Sequence, residues 1–151
     1  MNLLTLTGPL HKLNPDQSPE WGTMTPQHMV EHMAMTVRLS NGKLTEKCVY
    51  PDEKLPAMKR FLMSDKPMPR NFVSPIVGEG LKPLITGSFV EAIQLLDKEL
   101  KDFYTWFEQN PDSKPVHPTF GPLDQSEWEQ FHQKHFRHHF AQFGLELPEV
   151  D

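Results

Sequence analysis

The sequence predicts an all-α fold, a four-helix bundle with one long crossover connection. Three observations carry that expectation. Apolar residues recur at helical spacing in four segments, helix-starting and helix-stopping residues bracket those segments, and the fifteen prolines gather between them. At 151 residues, with 37% hydrophobic content and ten Phe, the chain suits one domain spanning 1–151 around one core.

The first strong helix is expected from Thr25 to about Asn41. Thr25 is a good N-cap and Pro26 suits the first helical position, where no backbone donor is needed. Met29, Val30, Met33, Val37 and the methyl of Thr36 then repeat on one side, and Gly42 gives the stop. Before it, the segment preceding Trp21 is short for a full bundle helix. A second helix is expected over Glu53 to Met63, where Leu55, Met58, Phe61 and Leu62 share a face. KPMPRNFVSPIVGEGLKP follows and reads as irregular, because proline lacks a backbone donor and biases its predecessor away from helix.

The third helix, Ser88 to about Gln109, shows the clearest stripe: Phe89, Ile93, Leu96, Leu100, Phe103 and Phe107. Asn110 and Pro111 end it, and PDSKPVHPTFGPLD reads as a loop. The last helix begins near Asp124 or Ser126, with Ser126 and Glu129 spaced as a capping box, and ends at Gly144 before Pro148. The length of irregular chain before Ser88 is what suggests a crossover rather than simple up-and-down connections.

Composition excludes several classes. A net charge of -5 without a Lys/Arg cluster lacks the footprint of a phosphate-backbone binder, so no nucleic-acid partner is expected. Cys48 is the single cysteine, which rules out an intramolecular disulfide and a thiolate zinc cluster. Residues 1–13 show no basic start or cleavage pattern, and no run approaches roughly 18 apolar residues. The expectation is a soluble, untargeted cytoplasmic protein with no membrane partner.

The histidines point to chemistry. Six of eight fall in the first and last helices. At ~100° per residue, Trp128, Phe131, His132, His135, Phe136, His139 and Phe143 share one arc of the last helix, while Glu127, Gln130, Gln133, Lys134, Arg137 and Ala141 lie broadly on the other. His135 and His139 therefore face the core one turn apart, and an imidazole pair at i and i+4 can present two ligands to one ion. Unpartnered, each would cost on the order of 1–3 kcal/mol. On the first helix His32 falls inside the apolar arc and His28 at its margin, so His32 is the expected third ligand. Three histidines with an open position is the arrangement of a catalytic metal site more than a structural one. His132 and His138 flank the stripe as wall or surface residues, and His117 reads either as a residue at the bundle mouth or as a loop-fixing hydrogen-bond partner.

A competing pattern exists: His28, Glu31 and His32 spell H-x-x-E-H, in which the glutamate of a zinc peptidase acts as general base. It would leave His135 and His139 unexplained. There is no H-E-x-x-H, P-loop, dinucleotide fingerprint or G-x-S-x-G.

The run HFRHHFAQ, His135 to Gln142, resembles the H-x-x-H-H-x-x-Q signature of the last helix in the DinB/YfiT-like superfamily. MTPQHMVEHM resembles that superfamily's W-S-x-x-x-x-x-x-H helix start, with Met24 where tryptophan is usual and the terminal histidine at His32. WGTMTPQHMVEHM and HPTFGPLDQSEWEQFHQKHFRHHFAQFG look closer still to one uncharacterised branch, a domain of unknown function. The resemblance implies a DinB-like four-helix bundle, a divalent ion (nickel or zinc, with iron as a third option) on His32, His135 and His139, and frequently a homodimer. It makes His28, His117, Trp128, His132, His138 and Gln142 candidates for the pocket wall. Relatives of that kind imply a small-molecule substrate and either hydrolysis or transfer to a low-molecular-weight thiol of the bacillithiol, mycothiol or glutathione type. The alternative is a non-catalytic, metal-stabilised binding or stress-response module.

Overall fold

Thr25 starts the first α-helix as its spacing predicts: its hydroxyl accepts the His28 backbone N–H at 3.2 Å, and Pro26 occupies the first turn. In the computed structural model, which describes residues 2–70 and 81–148, this helix, α1, spans Pro26–Val37 and tightens into a 3₁₀ turn at Arg38–Ser40. The shorter helix α2 covers Leu55–Met63 after a 3₁₀ turn at Asp52–Lys54. α3 covers Phe89–Gln109, capped by Ser88, and buries the whole predicted stripe from Phe89 to Phe107. α4 covers Gln125–Ala141. The described chain is mainly helical, as expected of an all-α fold.

Three local features differ from expectation. The capping box of α4 is Asp124 with Glu127, not Ser126 with Glu129: the Asp124 carboxylate accepts the Glu127 N–H at 2.9 Å and Glu127 returns the contact at 3.0 Å. Two overlapping acid-at-plus-three patterns stand side by side in the sequence, both with a good N-cap residue, and the helix takes the earlier one. The loop before α4 contains a small antiparallel hairpin, β1 (Val116–His117) with β2 (Gly121–Pro122). Gly121 has φ +77°, and a Cβ there would lie 2.8 Å from Leu55 Cδ1, so both backbone and space call for glycine. Thirdly, residues 3–12 do form an element, a 3₁₀ helix that buries Leu3, Leu6 and Leu10. It lies on α3, where Leu3 N–H donates to the Tyr104 hydroxyl at 2.9 Å and the Thr7 hydroxyl donates to Asp97 at 2.7 Å.

α1 packs along α3, α2 along α4, and α1 also meets α4. Met29, Val30 and Met33 of α1 join Leu96, Leu100 and Phe103 of α3 and Trp128 and Phe136 of α4 in one buried cluster. The connection from α2 to α3 leaves beside α4, where Lys134 Nζ donates to the Ser64 carbonyl at 2.8 Å, and arrives beside α1, where Glu31 accepts the Ile85 and Thr86 N–H groups. The described ends of this connection thus lie beside α4 and beside α1. Most of the irregular proline-rich stretch, residues 71–80, lies outside the described residues. No helix among the described residues is long and apolar enough to cross a membrane.

Candidate metal centre

Helical period alone carries His135 and His139 inward. They sit one turn apart on α4 with exposures of only 5% and 7%, between Phe131 and the core residues Phe136 and Phe140. His32 comes from α1, 103 residues earlier in sequence but adjacent in space. Its Nε2 lies 3.0 Å from His135 Nε2, and His139 Nε2 lies 2.9 Å from the same atom. Within the described residues these three form the one group of such side chains that could hold a metal ion.

The contacts do not work as a hydrogen-bond network. A neutral imidazole Nε2 carries one lone pair or one hydrogen. His135 Nε2 can therefore make a proper hydrogen bond to only one of its two neighbours, and the other contact sets like against like. The proton on His139 is fixed elsewhere: its Nδ1 faces Gln142 Oε1 at 2.7 Å, and a carbonyl oxygen can only accept. Gln142 is itself oriented by its amide NH₂, which donates to the Trp21 carbonyl at 3.5 Å. His139 is thus the Nδ1–H tautomer, with the Nε2 lone pair aimed into the cluster. His135 Nδ1 is buried with no partner, its ring stacked 18° from the plane of Phe131 at 5.3 Å.

Burial holds all three rings neutral. It pushes His32 down to about 4, helped by the charge of His138, and drives His135 and His139 well below the usual histidine range, with neighbouring histidines adding to the effect. Neutral imidazole is the form that donates a lone pair to a metal. Two donors on one ion with bonds of about 2.0–2.1 Å cannot stand more than about 4 Å apart, and the 3.0 and 2.9 Å separations satisfy that limit. The donor set fits zinc, nickel or iron(II), all of which accept imidazole nitrogen.

The remaining candidates fall into place around this centre. His28 pairs with the Thr25 hydroxyl at 2.6 Å and stands outside the cluster. The Glu31 carboxylate is taken up by the Ile85 N–H, by the Thr86 N–H and hydroxyl, and by the Gln27 amide. The H-x-x-E-H constellation of a zinc peptidase therefore does not form. His117 fixes its loop: Nδ1 accepts the N–H groups of Thr119 at 3.0 Å and Phe120 at 3.3 Å. His132, expected at a wall or surface, is instead wholly buried. The Ser40 hydroxyl donates to the Val37 carbonyl and so accepts from His132 Nε2–H at 2.8 Å. Trp128 is a core residue whose indole N–H donates to the Pro115 carbonyl at 3.0 Å. His138 is half-buried, edge-on to His139 with ring centroids 5.0 Å apart. Gln142 belongs to the centre, since it sets the His139 tautomer.

Lys134 was missed by the wheel, which assigned it to the outer face. It is only 7% exposed, its ammonium held by the Ser64 and Lys66 carbonyls and 4.7 Å from the Phe61 ring centroid. No local signal could have found it, because its acceptors belong to a segment some seventy residues earlier.

Over residues 27–145 the chain matches a family described as protein of unknown function (DUF1569), and it belongs to that family. No curated protein and no solved structure matches it.

Proposed function

We propose that this member of a family of unknown function holds a divalent metal ion on His32, His135 and His139, and uses it to activate a nucleophile against a small molecule. The observation that carries the reading is His135 Nε2, placed within 3.0 Å of two other imidazole nitrogens where hydrogen bonding can satisfy only one. An ion there would take a lone pair from each of the three nitrogens, once His135 and His32 carry their protons on Nδ1. It would supply Lewis acidity, lowering the pKa of a water or thiol that reaches it. Three protein ligands leave room for that group.

The chain's own residues prepare the site. Gln142 holds the His139 tautomer, Phe131 fixes the His135 ring plane, and burial keeps protons off all three nitrogens. A thiol reaching the site would have to come from a second molecule, because Cys48 contacts the Tyr50 carbonyl and is no part of the histidine group. The similarity of HFRHHFAQ to the last helix of DinB-like proteins supports the same ligands and both chemistries, ester or amide hydrolysis and transfer to a small thiol. The group contains no carboxylate to serve as a base. That favours, as a second reading, a bundle stabilised by metal without turnover.

The test starts with metal analysis of protein purified without an affinity tag. About one ion per chain is expected in the wild type and in His28→Ala, and close to none in His135→Ala and His139→Ala. Zinc or nickel added to stripped wild type should raise Tm by mass action. Protein that takes up neither zinc, nickel nor iron(II) sinks the proposal. Loaded protein that is inactive in screens of hydrolysis and thiol conjugation sinks its catalytic half.

A further inference from the structure

Beside His138, between α4 and residues 64–70, lies a pocket of about 450 Å³. Its charge runs against that of the chain. Overall, 20 Asp and Glu outnumber 15 Lys and Arg, yet Lys66, Arg70, Lys134 and Arg137 line this one pocket against a single acid, Asp65. None of the four takes part in an ion pair among the described residues. Lys134 is the most telling. A buried ammonium normally has a carboxylate partner, whereas this one has two carbonyl oxygens and an aromatic ring. Its direct partners are dipolar, with the Asp65 carboxylate acting on it only from a distance.

Arg70 is held ready. Its guanidinium carbon sits 4.2 Å from the Trp21 ring centroid, a stacking contact that restrains a long side chain before any ligand arrives. Trp21 is in turn edge-on to His138 at 5.9 Å, and His138 is edge-on to the ligand His139 at 5.0 Å. His138 also lines the pocket. A molecule among these cations therefore lies against His138, while His32, His135 and His139 are not among the residues that line the pocket.

We propose that this pocket is a subsite for an oxyanion, phosphate or carboxylate, of a small-molecule ligand. Its affinity for oxyanions does not rest on the metal reading. Arg is suited to the task because its planar fork can contact two oxygens of either group. The ligand class is then an anionic small molecule.

The experiment titrates inorganic phosphate and malonate into full-length protein by calorimetry, with chloride as the reference anion. Each titration is run on zinc-loaded protein and on protein stripped by a chelator, for the wild type and for Arg70→Gln/Arg137→Gln. Both arginines are exposed, so the double variant should fold as the wild type does. Binding of at least one oxyanion is expected, with affinity changed less than about threefold by stripping and weakened tenfold or more in the double variant. The tighter probe identifies phosphate or carboxylate as the natural group. Binding that vanishes on stripping would place the anion on the metal and overturn the subsite. So would binding unchanged by the arginine substitutions, or no binding of either probe. Arginine-dependent binding by a protein that never takes up metal keeps the subsite and removes the metal reading instead.

Discussion

Two buried polar clusters in this fold solve the same problem differently. At one, the Glu99 carboxylate, with no exposed side-chain surface, is met by Arg38, by Lys43 at 2.5 Å and by the Asn41 amide at 3.1 Å. Every charge there has a partner. At the other, His32, His135 and His139 turn their nitrogens toward each other, and one ring nitrogen is left with no partner at all. The first cluster balances its buried charge internally, although the Asn41 Oδ1 beside it has no partner. The second brings three neutral nitrogens within reach of one ion, so the difference is one of chemistry: opposite charges that neutralise each other against like donors that converge.

The sharpest way to break that contrast is to open the closed cluster. Glu99→Gln keeps the volume but leaves Arg38 without its carboxylate and Lys43 with Asp102 alone. Removing one member of a fully buried pair costs about 3–5 kcal/mol; here both cations are about one-third exposed and can turn to water. A loss of about 2–3 kcal/mol is therefore expected. Urea unfolding followed by tryptophan fluorescence measures it, and metal content should stay at the wild-type value. A Glu99 variant that unfolds no more easily, or that loses metal, would show that the two clusters are not independent in the way their geometry implies.

The next effect belongs to the open cluster. Gln142→Leu removes the acceptor that holds His139 as its Nδ1–H tautomer. Partners of this kind typically contribute 10–100-fold in metal affinity, and that weakening is expected in competition with a zinc indicator. Gln142→Glu retains an acceptor oxygen and should recover most of it. If the leucine variant binds zinc as tightly as wild type, His139 is oriented by packing alone.

These clusters were not equally legible in the sequence. The inward turn of His135 and His139, and the choice of His32 over His28, follow from the fixed 100° step of a helix, so a wheel suffices once the helices are placed. Gln142 was reachable through the resemblance of HFRHHFAQ. Glu99 was not, because its partners come from the turn after α1, which only tertiary packing brings to the side of α3. Lys134 failed for the same reason, its acceptors lying on the crossover. The N-terminal 3₁₀ helix escaped although Leu3, Leu6, Leu10 and Leu13 recur at helical spacing, because the segment is short and Gly8 and Pro9 interrupt it. His132 shows the limit of the wheel itself: it marks a residue as flanking the stripe, but depth depends on what packs above it, here Phe103 and Trp128.

Acid separates the closed carboxylate cluster from the buried neutral histidines, with the smallest effect per step. His117 is pushed down to about 3 by burial, with the charge of His132 adding to it. An unfolded chain takes up that proton near pH 6.5, while the folded chain refuses it until about 3. Stability from the neutral ring is thus complete above about 6.5 and is lost at up to about 1.4 kcal/mol per pH unit as pH falls. Glu99 acts lower. Burial raises its carboxyl, but Lys43, Arg38 and Asn41 together pull it below the usual 4.5, so its contribution persists above that value and fades only as pH drops through the folded value. His117→Asn keeps an oxygen able to accept the Thr119 and Phe120 N–H groups, as asparagine does in comparable turns, and removes the titrating ring. Unfolding free energies measured from pH 7 to 4.5 should fall less steeply in that variant, by about one proton's worth of slope. Glu99→Gln should leave this slope alone and flatten the curve only below about 4.5. An unchanged slope in His117→Asn would mean that His117 takes up its proton in the folded chain as readily as in the unfolded one. A changed slope in Glu99→Gln over the same range would mean that the carboxylate cluster reaches across the core to the histidines.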